Sequence, residues 1–81
     1  MTKKSTTHRL KILSEFYKPL IHGIKMFELR KNDRGFKVGD YLELSEITTI
    51  TTGRVSRFKI VYILENFPGL EKGYCILGLG G

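Results

Sequence analysis

Gly23-Ile24-Lys25-Met26-Phe27-Glu28-Leu29-Arg30, continued by Lys31-Asn32-Asp33-Arg34, is the stretch on which the fold turns. It reads as a strand leaving a glycine turn, and side chains alternate faces along a strand. Glu28, Arg30 and Asn32 therefore share one face, and Phe27 and Leu29 share the other. The apolar pair is expected in a core. The polar trio is expected to line a surface or a cleft, with Lys25 at its mouth. Asn32-Asp33-Arg34-Gly35 ends the strand with residues that favour tight turns.

Upstream, His8 to Leu13 alternates, with Leu10 and Ile12 on one face, and predicts a strand. Ser14 is a candidate N-cap, with Glu15 in the first turn where the helix dipole favours an anion. Phe16, Tyr17, Leu20, Ile21 and Ile24 fall near one face of a helix. Pro19 belongs in a first turn, because deeper in a helix it removes a hydrogen bond and clashes with the preceding turn. The helix therefore starts near Tyr17 or has a distorted first turn, and Gly23 is its predicted C-terminal cap.

Downstream, residues 36–40 form a connector with a second turn. Tyr41 to Ile47 predicts a strand with Leu42 and Leu44 inward. Thr48 to Gly53 reads as a Thr-rich loop. Arg54 to Leu64 is the longest β-type run, with Phe58, Ile60, Tyr62 and Leu64 on one face and Val55, Val61 and Ile63 on the other. A loop over 66–73 precedes a last strand from Tyr74 to Leu79. One helix and about five strands predict an α+β fold: a small five-stranded β-barrel, closed to remove exposed edges, with the early helix flanking a cleft. Residues 1–7 read as a disordered basic tail, and 8–81 as a single domain.

The chain has 81 residues, one domain's worth with a small core. Its formal charge of +6 suggests an acidic partner, nucleic acid first. Residues 1–40 hold ten Lys/Arg against four Asp/Glu, whereas residues 41–81 hold four of each. The basic character thus belongs to the half that carries the motif. The one cysteine, Cys75, sits in an apolar run and reads as a small buried hydrophobe in a reducing compartment. No apolar run approaches a membrane span, and no apolar region follows Met1–Ser5 as in a secretory leader. The expectation is a cytoplasmic protein, monomeric and away from membranes.

The candidate binding residues are Lys25, Glu28, Arg30, Asn32, Arg34 and Tyr41. Arg30 can offer a planar fork to a phosphate or base edge, with Glu28 orienting it. The competing reading is an ion pair that anchors the strand to the helix end. Lys25 can meet a phosphate or act as a base, or it is a solvated lysine in a turn. Asn32 and Asp33 serve the turn first, and Arg34 adds a cation at the cleft edge. Of the aromatics, which a small core claims first, Tyr41 and Phe36 are the candidates for stacking a base. No His, Cys and carboxylate grouping has metal-ligand spacing, so no metal and no cofactor are expected. No catalytic set of Ser, His and Asp is legible.

The run Gly23-x-Lys25-x-x-Glu28-x-Arg30 resembles the signature of the ASCH domains, members of the PUA-like superfamily. The pieces His8-x-Leu10-Lys11-Ile12-Leu13, Asn32-Asp33-Arg34, Val38-Gly39-Asp40, Thr52-Gly53-Arg54 and Gly73-Tyr74-Cys75-Ile76-Leu77-Gly78 are similar to a bacterial and phage-associated branch of that family. The resemblance implies a PUA-like barrel with a helix over a cleft, and a role in binding RNA or a nucleotide-like ligand. Some relatives look like small amidohydrolases acting on acylated cytidine. They carry a lysine at the position of Lys25, a threonine at that of Glu28, and a glutamate from a later strand. A carboxylate at 28 cannot replace that hydroxyl without changing the mechanism. The leading expectation is therefore a non-enzymatic RNA-binding module. The alternatives are a nucleoside amidohydrolase using Lys25 and Glu28 with Glu43 or Glu65 as third member, and a protein-binding adaptor of a phage or mobile element.

Overall fold

A computed structural model describes residues 5–80. The elements run β1 (Thr7–Leu13), α1 (Ser14–Ile21), β2 (Phe27–Lys31), β3 (Tyr41–Ile47), β4 (Thr51–Glu65) and β5 (Tyr74–Gly80). The strands form one sheet in the order β1-β3-β4-β5-β2. β1 and β3 are parallel, with α1 and β2 in the connection between them, and every other pairing is antiparallel. The fifteen-residue β4 pairs with β3 through its first half and with β5 through its second, and the sheet curls into a half-barrel. Of the expected tail, residues 1–4 lie outside the described residues. Thr6 and Thr7 belong to the fold, since Thr6 N–H bonds Asp40 and Thr7 opens β1.

Alternation fixes the inner face of three strands. His8, Leu10 and Ile12 of β1, Leu42, Leu44 and Glu46 of β3, and Cys75, Leu77 and Leu79 of β5 are all buried. In β4 the alternation changes phase. A register shift between Ile60 and Tyr62 marks a bulge at Val61. Before it Phe58 and Ile60 face inward. After it Ile63 packs against the core, while Tyr62 is exposed. The predicted single face of Phe58, Ile60, Tyr62 and Leu64 is therefore split, because one extra residue flips every later side chain.

The helix begins at Ser14 and keeps Pro19 inside it. Ser14 does not cap the backbone; its hydroxyl donates to Glu46 Oε2 at 2.6 Å. Only Tyr17 and Leu20 of α1 are buried, so the wider apolar face expected from Phe16, Ile21 and Ile24 stays in solvent. The C-terminus closes as a Schellman motif: Gly23 N–H bonds Leu20 O and Ile24 N–H bonds Pro19 O. Gly23 supplies the positive φ of 74° that this cap requires. The same Pro19 carbonyl accepts Lys25 N–H, which sets where the chain enters β2.

β2 turns the expected faces round. Glu28 pairs with Leu77 and Arg30 with Cys75 across the ladder to β5, and both partners point inward. Phe27 and Leu29 are consequently exposed on the outer face instead of in the core. Glu28 and Arg30 do share one face, as the alternation requires, and that face lines the inside of the curl, whereas Asn32 lies past the end of β2, in the turn. Partly buried Met26, two residues before Glu28, packs against the core and satisfies the apolar demand there.

Candidate functional site

The two outer strands of the sheet, β1 and β2, approach each other across the open side of the half-barrel. Among the described residues no ladder joins them. Side chains bridge this seam instead. Arg30 Nη2 donates to the Lys11 carbonyl at 2.8 Å, and Arg34 Nη1 donates to the Arg9 carbonyl at 3.3 Å. A free strand edge presents unpaired carbonyls, and two of those on β1 are met by guanidinium groups.

Glu28 lies at the inner end of the seam, only 6% exposed. Two cations hold it. Lys25 Nζ donates to Glu28 Oε1 at 2.8 Å and to the Phe27 carbonyl at 2.7 Å. Arg30 donates to Glu28 Oε2 through Nε at 2.8 Å, with Nη2 2.7 Å from the same oxygen. A buried carboxylate is tolerated only when paired and hydrogen-bonded, and here both oxygens are engaged. Of the two roles open to Arg30, the ion pair that anchors the strand is thus realised, although its tie runs to the β1 edge, not to the helix end. Its Nη1 makes no hydrogen bond among the described residues.

A cleft of about 620 Å³ opens over this triad, lined by Lys11, Ile12, Leu13, Phe16, Lys25, Phe27, Glu28, Leu29 and Arg30. Its walls are mostly apolar. Lys25 Nζ lies 5.9 Å from the Phe16 ring centre and 5.0 Å from that of Phe27. Lys11 is exposed at the rim and has no ion pair among the described residues. Such a space, apolar with a few convergent polar groups, has the size and character of a small-ligand site.

Lys25, Glu28 and Arg30 therefore come together as one cluster, and the other candidates do not join them. Asn32 braces the turn: Oδ1 accepts Phe36 N–H and Nδ2 donates to Glu65 Oε2. Arg34 borders a different hollow of about 390 Å³ beside His8 and Asp40. Tyr41 faces outward on β3, where the Arg57 guanidinium stacks 4.1 Å from its ring centre. Phe36 is buried edge-on against His8. Glu43 bonds Arg9 on the outer face and Glu65 bonds Asn32, so neither supplies a third member to Lys25 and Glu28. The sequence reading missed Phe16, Phe27, Leu13 and Lys11 as cleft residues. By hydropathy Phe16 and Phe27 read as core residues, and Lys11 and Leu13 fall on the opposite face of β1 from Leu10 and Ile12, with nothing in the sequence to bring that face to β2.

Residues 7–79 match the profile of a family described as a domain of unknown function, DUF3850. The chain belongs to the DUF3850 family. No curated protein matches it. The match covers the whole sheet but for the last residue of β5, so the cleft and its seam lie inside the DUF3850 domain. Among the described residues no helix is long and apolar enough to cross a membrane, and no cluster of three or more His, Cys, Asp or Glu could hold a metal ion.

Two further buried carboxylates support the fold around the site. Burial raises the Asp40 carboxyl, but the His8 hydrogen bond and the N–H groups of Thr6 and Lys37 more than offset this and hold it below its ordinary value. An ionised carboxylate only accepts, so His8 Nε2 is the donor in the 2.9 Å bond to Asp40 Oδ2. Glu46 is likewise lowered, chiefly by the Ser14 hydroxyl, against the opposing effect of burial and with help from Thr52 and Arg54.

Proposed function

We propose that this DUF3850 domain binds RNA or a nucleotide-like ligand in the cleft between α1 and β2, in the manner of a PUA-like ASCH module acting as a cytoplasmic monomer. The observation that carries the reading is the cleft itself: two phenyl rings beside a cationic cluster. A base has an apolar face to lay against Phe16 and Phe27, and a phosphate has the ammonium groups of Lys11 and Lys25 to meet. Arg30 Nη1 remains for a base edge. The cluster of Lys25, Glu28 and Arg30 carries a formal charge of +1, and Lys11 adds another.

The test is a chemical-shift titration of the labelled protein with the four ribonucleoside 5′-monophosphates. Shifts concentrated on Phe16, Lys25, Phe27 and Glu28, and lost in Lys25→Ala, support the reading. Their absence at every monophosphate and at short single-stranded RNAs defeats it. Incubation with acylated cytidine separates the hydrolase alternative: release of free cytidine that disappears in Lys25→Ala would put that reading first.

A further inference from the structure

The face of the sheet turned away from the core is apolar where β2, β5 and β4 meet. Phe27 is 48% exposed, Leu29 54%, Val61 52% and Tyr62 61%. The bulge at Val61 produces this patch, because it turns Tyr62 outward. Phe27 and Tyr62 are both register partners of Gly78, one from each side. Strands lie about 4.8 Å apart, so the two aromatic residues spring from the sheet about 10 Å apart across a bare glycine. A Cβ at Gly78 would come within 3.2 Å of Tyr62 Cβ, and one at Gly80 within 3.0 Å of Val61 Cγ1. The floor between the aromatics is thus flat, and a side chain at either glycine would press on its neighbour on β4. One register step along lie Leu29, Ile76 and Leu64, and beyond them Lys31 opposite Tyr74.

Charge decides the occupant. Lys31 lies at one end of this patch and Lys59 at the other, with Arg57 further along β4. No outward residue of β2, of β5 or of β4 from Arg57 to Leu64 is a carboxylate. A second copy of the chain would bring cation against cation. A polyanion with flat apolar units fits both halves of the pattern. We propose that this outer face is a stacking platform for single-stranded nucleic acid, with bases on Phe27 and Tyr62 around Gly78 and phosphates at Lys59 and Lys31. Base stacking on exposed aromatics beside backbone-tracking cations is a general means of holding single strands. The proposal extends the nucleotide reading of the cleft and rests on it: Phe27 belongs to both surfaces, so a strand whose one base enters the cleft passes onto the outer face at Phe27.

The experiment compares an oligouridine of about eight nucleotides, within the usual site size of such surfaces, with uridine 5′-monophosphate. Affinities are measured for the wild type, Tyr62→Ala, Tyr62→Phe, Lys59→Glu and Lys25→Ala. Tyr62 and Lys59 are exposed and lie outside the cleft, so these variants retain the fold, which circular dichroism checks. Tyr62→Ala should weaken oligouridine binding roughly tenfold, the loss of one stacked base. Tyr62→Phe should keep it, and neither should change monophosphate binding. Lys59→Glu should weaken the oligomer and flatten its salt dependence. Oligomer binding that is unchanged in Tyr62→Ala and Lys59→Glu but lost in Lys25→Ala overturns the platform and leaves the cleft reading standing. Loss in Tyr62→Ala with Lys25→Ala unaffected supports the platform and removes the cleft. Failure of the wild type to bind either probe overturns both.

Discussion

Glu28 is the residue on which the site's geometry depends. Its carboxylate is buried and its charge is met by Lys25 on one oxygen and Arg30 on the other. Breaking a buried pair costs about 3–5 kcal/mol, and the partial exposure of both cations here places Glu28→Ala at about 3 kcal/mol in urea unfolding. Glu28→Gln should cost about half of that, because the amide oxygen still accepts one bond. Arg30→Ala should exceed Glu28→Gln, since it also strips the Lys11 carbonyl at the seam. Asp40 gives a pH signature. Its folded pKa lies below its ordinary value of 3.8, so it contributes stability above that value and loses it as the pH falls through the folded pKa. Asp40→Asn should therefore lower stability at neutral pH and flatten the acid limb of the stability profile below about pH 4. A variant whose acid limb matches the wild type would remove Asp40 from the account.

At the scale of elements, the helix cap is the simplest quantitative test. Gly23 has open space where a Cβ would stand, so Gly23→Ala is limited by backbone strain alone and should cost about 1–2 kcal/mol. A thermal or urea midpoint equal to the wild type would contradict the cap. Gly23 was legible in the sequence, as were β1, β3, β5 and the helix, because each carries a clean period or a glycine at its end. The orientation of β2 was not. Phe27 and Leu29 look like core residues by hydropathy, but the ladder to Leu77 and Cys75 sends Glu28 and Arg30 inward. A lone strand carries no label for which of its faces is inner; the register does, and the register is non-local. The bulge at Val61 escaped for the same reason. Nothing in Ile60-Val61-Tyr62 marks an extra residue, yet that residue moves Tyr62 from the core to solvent. The exposure of Phe16, Ile21 and Ile24 follows from a short helix that buries only Tyr17 and Leu20 against the sheet.

The whole molecule is a curled sheet whose open side is spanned by arginines and whose basic character concentrates in the chain's first half. Cys75 sits deep in this curl, and burial, then the nearby charge of Glu65, raise its thiol pKa. Alkylation of Cys75 should be negligible in the native protein and should rise in step with global unfolding; fast native alkylation would mean that the half-barrel opens. Binding of an anionic nucleotide ligand in the α1–β2 cleft, through Lys11 and Lys25, is the function proposed for this molecule. Anisotropy of a labelled single-stranded RNA, measured against salt for the wild type, Lys11→Ala and Lys25→Ala, tests it most directly. Affinity should fall as salt rises, with a log–log slope that shrinks by about 0.7 for each lysine removed. A flat salt response, or lysine variants whose affinity and slope equal those of the wild type, would contradict it.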